Sequence, residues 1–189
     1  MGSLVEDLRV VRERDAAVRS WGEALLAPHL PALWLHRVAH RIHRRGHRFT
    51  ARLLTLAGRV VSGGVDIHPG ARIGRRLFID HGFAVVIGEQ AVIGDDVTLY
   101  QQVTIGAVGW RRDKRRAPGE RRHPVIGDRV VIGVSASVLG PVEVGDDCVI
   151  GAHALVLSDV PPKSRVKAPG SRVSAREPAL PWERSSGCA

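Results

Sequence analysis

Aromatic side chains are scarce in this chain, making up 4% of its 189 residues against 44% for hydrophobic residues as a whole. An interior built from it has to be filled by Val, Ile, Leu and Ala rather than by rings, a bias that suits β-structure with stacked aliphatic layers. Cysteine is scarcer still: Cys148 and Cys188 alone build neither a disulfide framework nor a thiolate metal site. No apolar run approaches the ~18 residues of a membrane span. The opening Met1-Gly2-Ser3-Leu4-Val5-Glu6-Asp7 lacks a basic stretch followed by an apolar core, and Glu6 in sixth place does not fit a myristoylation pattern. These absences point to a cytoplasmic protein that contacts no membrane. The length suits one domain with a small appendage. What is in excess is positive charge, 28 Lys and Arg against 19 Asp and Glu for a net +9. Nucleic acid or a polyanionic small molecule then becomes a candidate partner, and the placement of the charge has to decide.

Two periods divide the chain. Residues 1–64 read as a helical segment. Ser3 and Glu6 form a capping box for a first helix to about Arg14, and Asp15 can cap a second through Leu26. Pro28 and Pro31 interrupt the pattern, after which Leu33, Leu35, Val38, Ala39 and Ile42 give a helical face that Gly46 ends. A last helix runs from about Phe49 to Val61 and stops at Gly63-Gly64. From Ile67 the period becomes six. Aliphatics recur at Ile67, Ile73, Ile79 and Val85, then in a shifted phase at Ile87, Ile93, Leu99 and Ile105, and after a break at Ile126, Ile132, Val138, Val144, Ile150 and Val156. Small or apolar residues follow four positions later, Cys148 among them, which makes that thiol a core residue. The expectation is an α+β chain whose residues 65–160 form a parallel β-helix. Three hexads close one triangular coil, and the glycine or acidic pair makes each turn. A β-sandwich would need irregular turn spacing of ~8–12 residues, which the unbroken run after Ile126 denies. The polar stretch 107–124 must leave the prism as a basic loop, and the prolines after 160 predict an irregular tail over 161–189.

Polar residues interrupt this aliphatic pattern at Asp66-Ile67-His68-Pro69 and Phe78-Ile79-Asp80-His81-Gly82. Asp66 and His81 fall nearly one coil apart, so a carboxylate can stand beside an imidazole in adjacent layers. That pairing sets up a general base, although two unrelated polar turn residues would leave the same spacing. These runs, together with Val97-Thr98-Leu99-Tyr100-Gln101-Gln102-Val103-Thr104-Ile105-Gly106, Arg122-His123-Pro124 and the upstream Glu13-Arg14-Asp15-Ala16-Ala17, resemble the serine O-acetyltransferases, over residues 5 to about 160. The resemblance implies a left-handed coil and trimers with active sites at the subunit clefts. It implies His81 as the base that takes the serine hydroxyl proton, Asp66 as its partner, and Asp80 on the substrate ammonium. Arg122 and His123 would meet the substrate carboxylate, with Gln101 beside the substrate. The cosubstrate is acetyl-CoA, lying along Gly106, Ala107, Val108, Val134 and Ala152, with no permanently bound cofactor. A hydroxyl attacks a thioester once a base shares its proton and an amide holds the oxyanion, and a bidentate Arg suits a carboxylate.

Several positions depart from that family. Gly106-Ala107-Val108-Gly109 stands where Gly-Gly-Thr-Gly is usual, and Gly133-Val134-Ser135-Ala136 where Gly-Ala-Gly-Ala is usual. Bulk is therefore added on the coenzyme side while the amino-acid side is intact. The alternatives are a serine-like acceptor or another acyl-CoA donor, and a non-catalytic trimeric scaffold, which the intact polar set argues against. The basic loop reads as a solvated flap or as an attractor of the coenzyme A phosphates. With Trp110 as its one aromatic it offers nucleic acid no stacking platform. The end Ser186-Gly187-Cys188-Ala189 replaces the terminal Ile of members that bind the next enzyme, which speaks against a complex with O-acetylserine sulfhydrylase. The helical segment is shorter than in members that form hexamers, so a trimer is expected ahead of a hexamer. His36 with His40, and His43 with His47, have metal-ligand spacing but no carboxylate beside them, so no metal site is expected.

Overall fold

The computed structural model describes residues 4–117 and 119–170. Four helices come first: α1 (Leu4–Arg14), α2 (Trp21–Leu25), α3 (His29–Arg44) and α4 (Arg48–Val61). Glu6 and Asp7 open α1 and Arg12 and Arg14 close it, so charge complements the helix dipole at both ends. Ser3, expected to cap it, lies outside the described residues. Asp15 starts no helix. The second helix begins only at Trp21, where Ser20 Oγ accepts from Glu23 N at 3.1 Å and Glu23 Oε2 accepts from Arg19 N at 2.7 Å. Ser20 and Glu23 thus satisfy the free amides of that turn, and Asp15 instead folds back to accept from Ala17 N at 2.9 Å. Pro28 and Pro31 do not interrupt α3 but occupy its N-cap and first turn, where a missing N–H leaves no intrahelical bond unmade.

Charge as well as apolar contact ties the helices together. Asp7 is buried, accepting from both terminal guanidinium nitrogens of Arg37, with Nη2 to Oδ1 at 2.7 Å, and from Trp34 Nε1 at 2.9 Å. Toward the coil, Arg14 donates to Asp96 Oδ1 at 2.9 Å and Thr98 Oγ1 at 2.8 Å, and Arg76 donates to Glu13 Oε2 at 2.6 Å. Ala32 and Leu33 of α3 join Val65 and Ile67 in one core, so the helices close the N-terminal end of the aliphatic column.

The remaining chain visits three parallel sheets in turn. Sheet A stacks β1 (Asp66–Ile67), β4 (Val86–Ile87), β7 (Thr104–Gly106), β10 (Ser137–Leu139) and β13 (Leu155–Val156). Sheet B stacks β2 (Arg72–Ile73), β5 (Val92–Ile93), β8 (Val125–Ile126) and β11 (Glu143–Val144). Sheet C stacks β3 (Phe78–Ile79), β6 (Thr98–Leu99), β9 (Val131–Ile132), β12 (Val149–Ile150) and β14 (Arg165–Val166). The expected inward aliphatics are buried, with Ile73 only partly so, and Cys148 packs in the column with its Sγ donating to Pro161 O at 3.0 Å.

The glycines after the inward aliphatics do not make the turns by adopting a left-handed backbone. Residues such as Arg76, Asp96, Arg129 and Asp147 take the positive φ instead. The glycines are needed because coils stack closely: a Cβ on Gly94 would lie 2.7 Å from the carbonyl carbon of Gly127 and 2.3 Å from Asp128 Oδ1. Val85 is likewise not a strand residue. It packs inward ahead of β4, and the turn 80–84 adds two residues, which is the origin of the phase shift. The stretch between β7 and β8 leaves the coil as expected and carries the short α5 (Trp110–Asp113). Arg121 fastens its returning end to Glu143 at 2.9 Å and to Pro141 O at 2.8 Å. The coil also outlasts residue 160, since Val144 bridges to Val160 and β12 pairs with β14. Cys188 lies outside the described residues.

Candidate active site

The sequence-predicted residues fall at two corners of the prism. The corner between sheets C and A carries the turn with Asp80 and His81. Here the sequence inserts Gly82, whose φ of +53° and close approach to His29 N and Pro28 admit no side chain comfortably. His81 itself has φ +58° and a largely exposed ring, with Nε2 3.9 Å from Asp80 Oδ2. Both line a cleft of about 630 Å³ between the turn and the helical segment, along with Arg14, Asp15, His29 and Phe78. His29 is buried edge-on against Phe78, and burial pushes its imidazole down to about 4, so it is neutral at pH 7. The cleft therefore offers the carboxylates of Asp15 and Asp80 and an exposed imidazole, with a third carboxylate, Glu23, engaged by Arg19 N and Ser20, a set suited to an ammonium next to a hydroxyl. Asp15 was missed as a site residue because its position before a presumed helix explained it fully as a cap. Its inclusion in Glu13-Arg14-Asp15-Ala16-Ala17, a run shared with the family, was the available signal.

Asp66 is not joined to His81 by a hydrogen bond or ion pair. It heads β1, half-buried, and its Oδ2 accepts from Arg59 Nη1 at 3.4 Å in a separate recess lined by α4 residues Phe49, Leu53 and Leu56. The segment leading into β1 nevertheless passes the turn that bears His81: a Cβ on Gly64 would sit 3.3 Å from Ala84 N.

The corner between sheets A and B holds Arg122 and His123, where the extruded loop rejoins the coil. Arg122 Nη2 donates to Glu89 Oε2 at 2.7 Å and its backbone N–H donates to Gln90 Oε1 at 2.8 Å. His123 is buried against Gly88, which is glycine because a Cβ there would lie 2.1 Å from His123 Cδ2. Burial first, and the adjacent Arg122 guanidinium second, hold the His123 imidazole below its ordinary value. Its neighbour His68 accepts from Gly70 N at 3.0 Å, and burial pushes it down to about 4. At neutral pH this corner thus holds Arg122 paired with Glu89 and uncharged imidazoles around them, so an incoming carboxylate has to share the guanidinium with Glu89 or displace it.

The remaining candidates divide the same way. Gly106, Ala107 and Val108 leave β7 toward the second corner, with Val108 against Gly140 and partly exposed. Gln101, Val134 and Ala152 lie at the first. Gln101 Oε1 is buried without a hydrogen-bond partner, Val134 O accepts from His153 N at 2.8 Å, and Ala152 packs beneath Gly133. Within one chain the whole of sheet A separates the two groups. His36 is buried, His40 Nδ1 lies 2.8 Å from Pro69 O, and among the described residues no three His, Cys, Asp or Glu side chains come together to hold a metal ion. No described helix is long and apolar enough to cross a membrane.

Known proteins resemble this chain along most of its length. The bacterial transferase hexapeptide family (six repeats) matches residues 123–158. The serine acetyltransferase of Mycobacterium tuberculosis is 46% identical over 175 residues, covering 92% of this chain and 73% of that protein. That of Helicobacter pylori strain 26695 is 51% identical over 153 residues, covering 81% and 85%. Among solved structures, Entamoeba histolytica serine acetyltransferase isoform 3 in complex with cysteine superposes with a TM-score of 0.82 at 34% identity, over 96% of this chain and 63% of that one. Neisseria gonorrhoeae serine acetyltransferase in complex with serine gives a TM-score of 0.77 at 37% identity, over 89% and 67%. The chain thus spans under two thirds of the Entamoeba protein's length, and the part it spans includes both corners. With these likenesses the coil is a left-handed β-helix, and the chain belongs to the serine acetyltransferase family.

Proposed function

We propose that this protein transfers the acetyl group of acetyl-CoA to the hydroxyl of L-serine, giving O-acetylserine and CoA. The observation that carries the reading is the complementarity of the two corners. One offers an imidazole among carboxylates, the other a guanidinium, shared with Glu89, among neutral imidazoles, and together they match an amino acid bearing a hydroxyl. In one molecule they face away across sheet A, so a complete site needs the first corner of one subunit against the second corner of a neighbour. A cyclic trimer meets that need. Exposed apolar residues on the same side support it: Phe49 (77% exposed), Leu53, Leu56 and Val60 along α4, with Phe83 and Val86 beside them.

In the assembled site Asp15 and Asp80 hold the ammonium, and Arg122 with a neutral N–H from His123 holds the carboxylate. His81 accepts the hydroxyl proton as oxygen attacks the thioester carbonyl, and the protonated imidazole then returns that proton to the departing thiolate. Asp66 backs His81 once its carboxylate turns from Arg59 toward the passing turn. Gln101, with its unpartnered oxygen, completes the substrate's polar contacts. The thioester runs beside Gly106, Ala107, Val108, Val134 and Ala152. Release of CoA thiol, measured with L-serine and a panel of other amino acids, tests the reading. Turnover with L-serine and acetyl-CoA is expected, and a folded trimer that releases no thiol from any acyl-CoA would refute it in favour of a scaffold.

A further inference from the structure

A second concentration of positive charge lies in a groove between α3 and the edge strand of sheet B, on the other side of the prism from His81. One stretch, about 430 Å³, is lined by Arg41 and Arg44 of the last turn of α3, by Arg45 that caps it and, across from them, Arg72 on β2. A second stretch, about 780 Å³, continues it past His43 toward Gly119 of the extruded loop, sharing His40, Arg44 and Arg72 with the first. Two other arginines on the walls are already neutralised, Arg37 by Asp7 and Arg121 by Glu143, and Glu89 is engaged by Arg122. Arg41, Arg44, Arg45 and Arg72 have no side-chain hydrogen bond or ion pair to any described residue.

Like charges three and four apart on a helix repel. The helix dipole offsets that for Arg41, Arg44 and Arg45, since they sit at its C-terminal end. It does nothing for Arg72, which belongs to another element and faces the same space. Two imidazoles add to the groove: His36, buried on its floor with neither ring nitrogen in hydrogen-bonding geometry, and His43, whose buried Nδ1 has no partner. Four unpaired guanidiniums around a channel with unsatisfied polar nitrogens are the electrostatic complement of a multiply charged anion. No Phe, Tyr or Trp is among the described residues lining either stretch, so no large ring is offered for a base to stack on.

We infer that this groove binds a compact anion carrying two or more linked phosphate groups, at a site separate from the acetyl-transfer centre. Guanidinium forks match phosphate oxygens pairwise, and two adjoining stretches of about 430 and 780 Å³ leave room for a short chain of phosphates. The groove opens over sheet B rather than over sheet A, which lies between the two corners. Its far end reaches Glu89 and Gln90, which hold Arg122, so occupancy also has a route to the serine carboxylate site.

Isothermal titration of the intact protein with inorganic tripolyphosphate, at about 0.15 M salt to screen diffuse attraction, tests this. Saturable binding is expected, weakened at least tenfold by Arg44→Ser with Arg72→Ser and unchanged by Arg115→Ser on the extruded loop. The same double variant is expected to bind acetyl-CoA and turn over L-serine as wild type does. Absence of saturable binding, equal weakening by Arg115→Ser, or displacement of tripolyphosphate by acetyl-CoA with parallel loss of both in the double variant would each overturn the separate site. Tripolyphosphate binding is read independently of serine turnover, so a failed enzymatic assignment leaves it standing or falling by itself.

Discussion

At the scale of single residues, the groups that do chemistry and the groups that allow packing carry different penalties. Replacing His81 by Ala removes the only exposed imidazole of its cleft, and the acetyl-transfer rate is expected to fall about 10²- to 10⁴-fold, read as thiol release with the KM for acetyl-CoA near wild type. Asp66→Asn and Asp80→Asn separate the two carboxylates near that ring. Loss of the partner should lower kcat for thiol release with little change in the KM for serine, while loss of the ammonium ligand should mainly raise that KM. Gly94 makes a contrasting case. Ala there drives a methyl into the backbone of Gly127, so Gly94→Ala should destabilise by about 1–3 kcal/mol in urea unfolding, with the remaining folded fraction fully active. Val108 and Val134 have no such steric demand on them. In the proposed site the methyl groups that Ala107 and Val134 add over the usual Gly and Ala narrow the acyl end, so propionyl- and malonyl-CoA should react more slowly than acetyl-CoA in steady-state assays.

Among the elements, α3 concentrates the buried polar groups. Asp7 on α1 neutralises Arg37 on α3, and removing it leaves a guanidinium buried without a counter-charge, so Asp7→Ala should cost about 3–5 kcal/mol by denaturant melt. His29 and His36 of the same helix are neutral when folded because burial pushes them down to about 4 and about 3. The unfolded chain, with ordinary imidazoles, takes up protons first as pH falls, so stability is complete above about pH 6.5 and is lost toward pH 4 and then 3. Between pH 7 and pH 5 each imidazole should withdraw about 2 kcal/mol, lowering the urea midpoint. His36→Leu should flatten that dependence, and an unchanged slope would place the proton uptake elsewhere. Hexad periodicity made most coil strands legible, because every inward position repeats. The five-residue α2 was drawn too long from sequence, since Asp15 and Ser20 are both acceptable caps and only the reciprocal Ser20–Glu23 bonding selects one.

For the whole molecule, the decisive prediction concerns sites shared between subunits. His81→Ala and Arg122→Ala are each expected to be nearly inactive alone. Unfolded together and refolded, randomly mixed cyclic trimers should recover about a quarter of wild-type activity, because one interface in four pairs an intact His81 corner with an intact Arg122 corner. No recovery from well-folded mixed trimers would mean that both corners act within one chain. Arg122 and His123 were recognisable from sequence as a motif, but their distance from His81 was not. An insertion between β7 and β8 lets residues remote in sequence rejoin the coil at the next corner, and only the stacking order reveals which corner that is.

The six-residue beat of aliphatics, the small residues between them and the polar runs at 66–69, 80–82 and 122–124 were enough to determine a three-sided parallel coil and the chemistry it can offer, since a repeated local pattern permits few ways of burying itself. Tertiary structure alone decided that Asp15 enters the His81 cleft, that Asp66 faces Arg59, and that Arg122 and His123 stand across a sheet from His81. Those relations depend on how distant segments stack and on which charges find each other in three dimensions, and no spacing along a single chain encodes them.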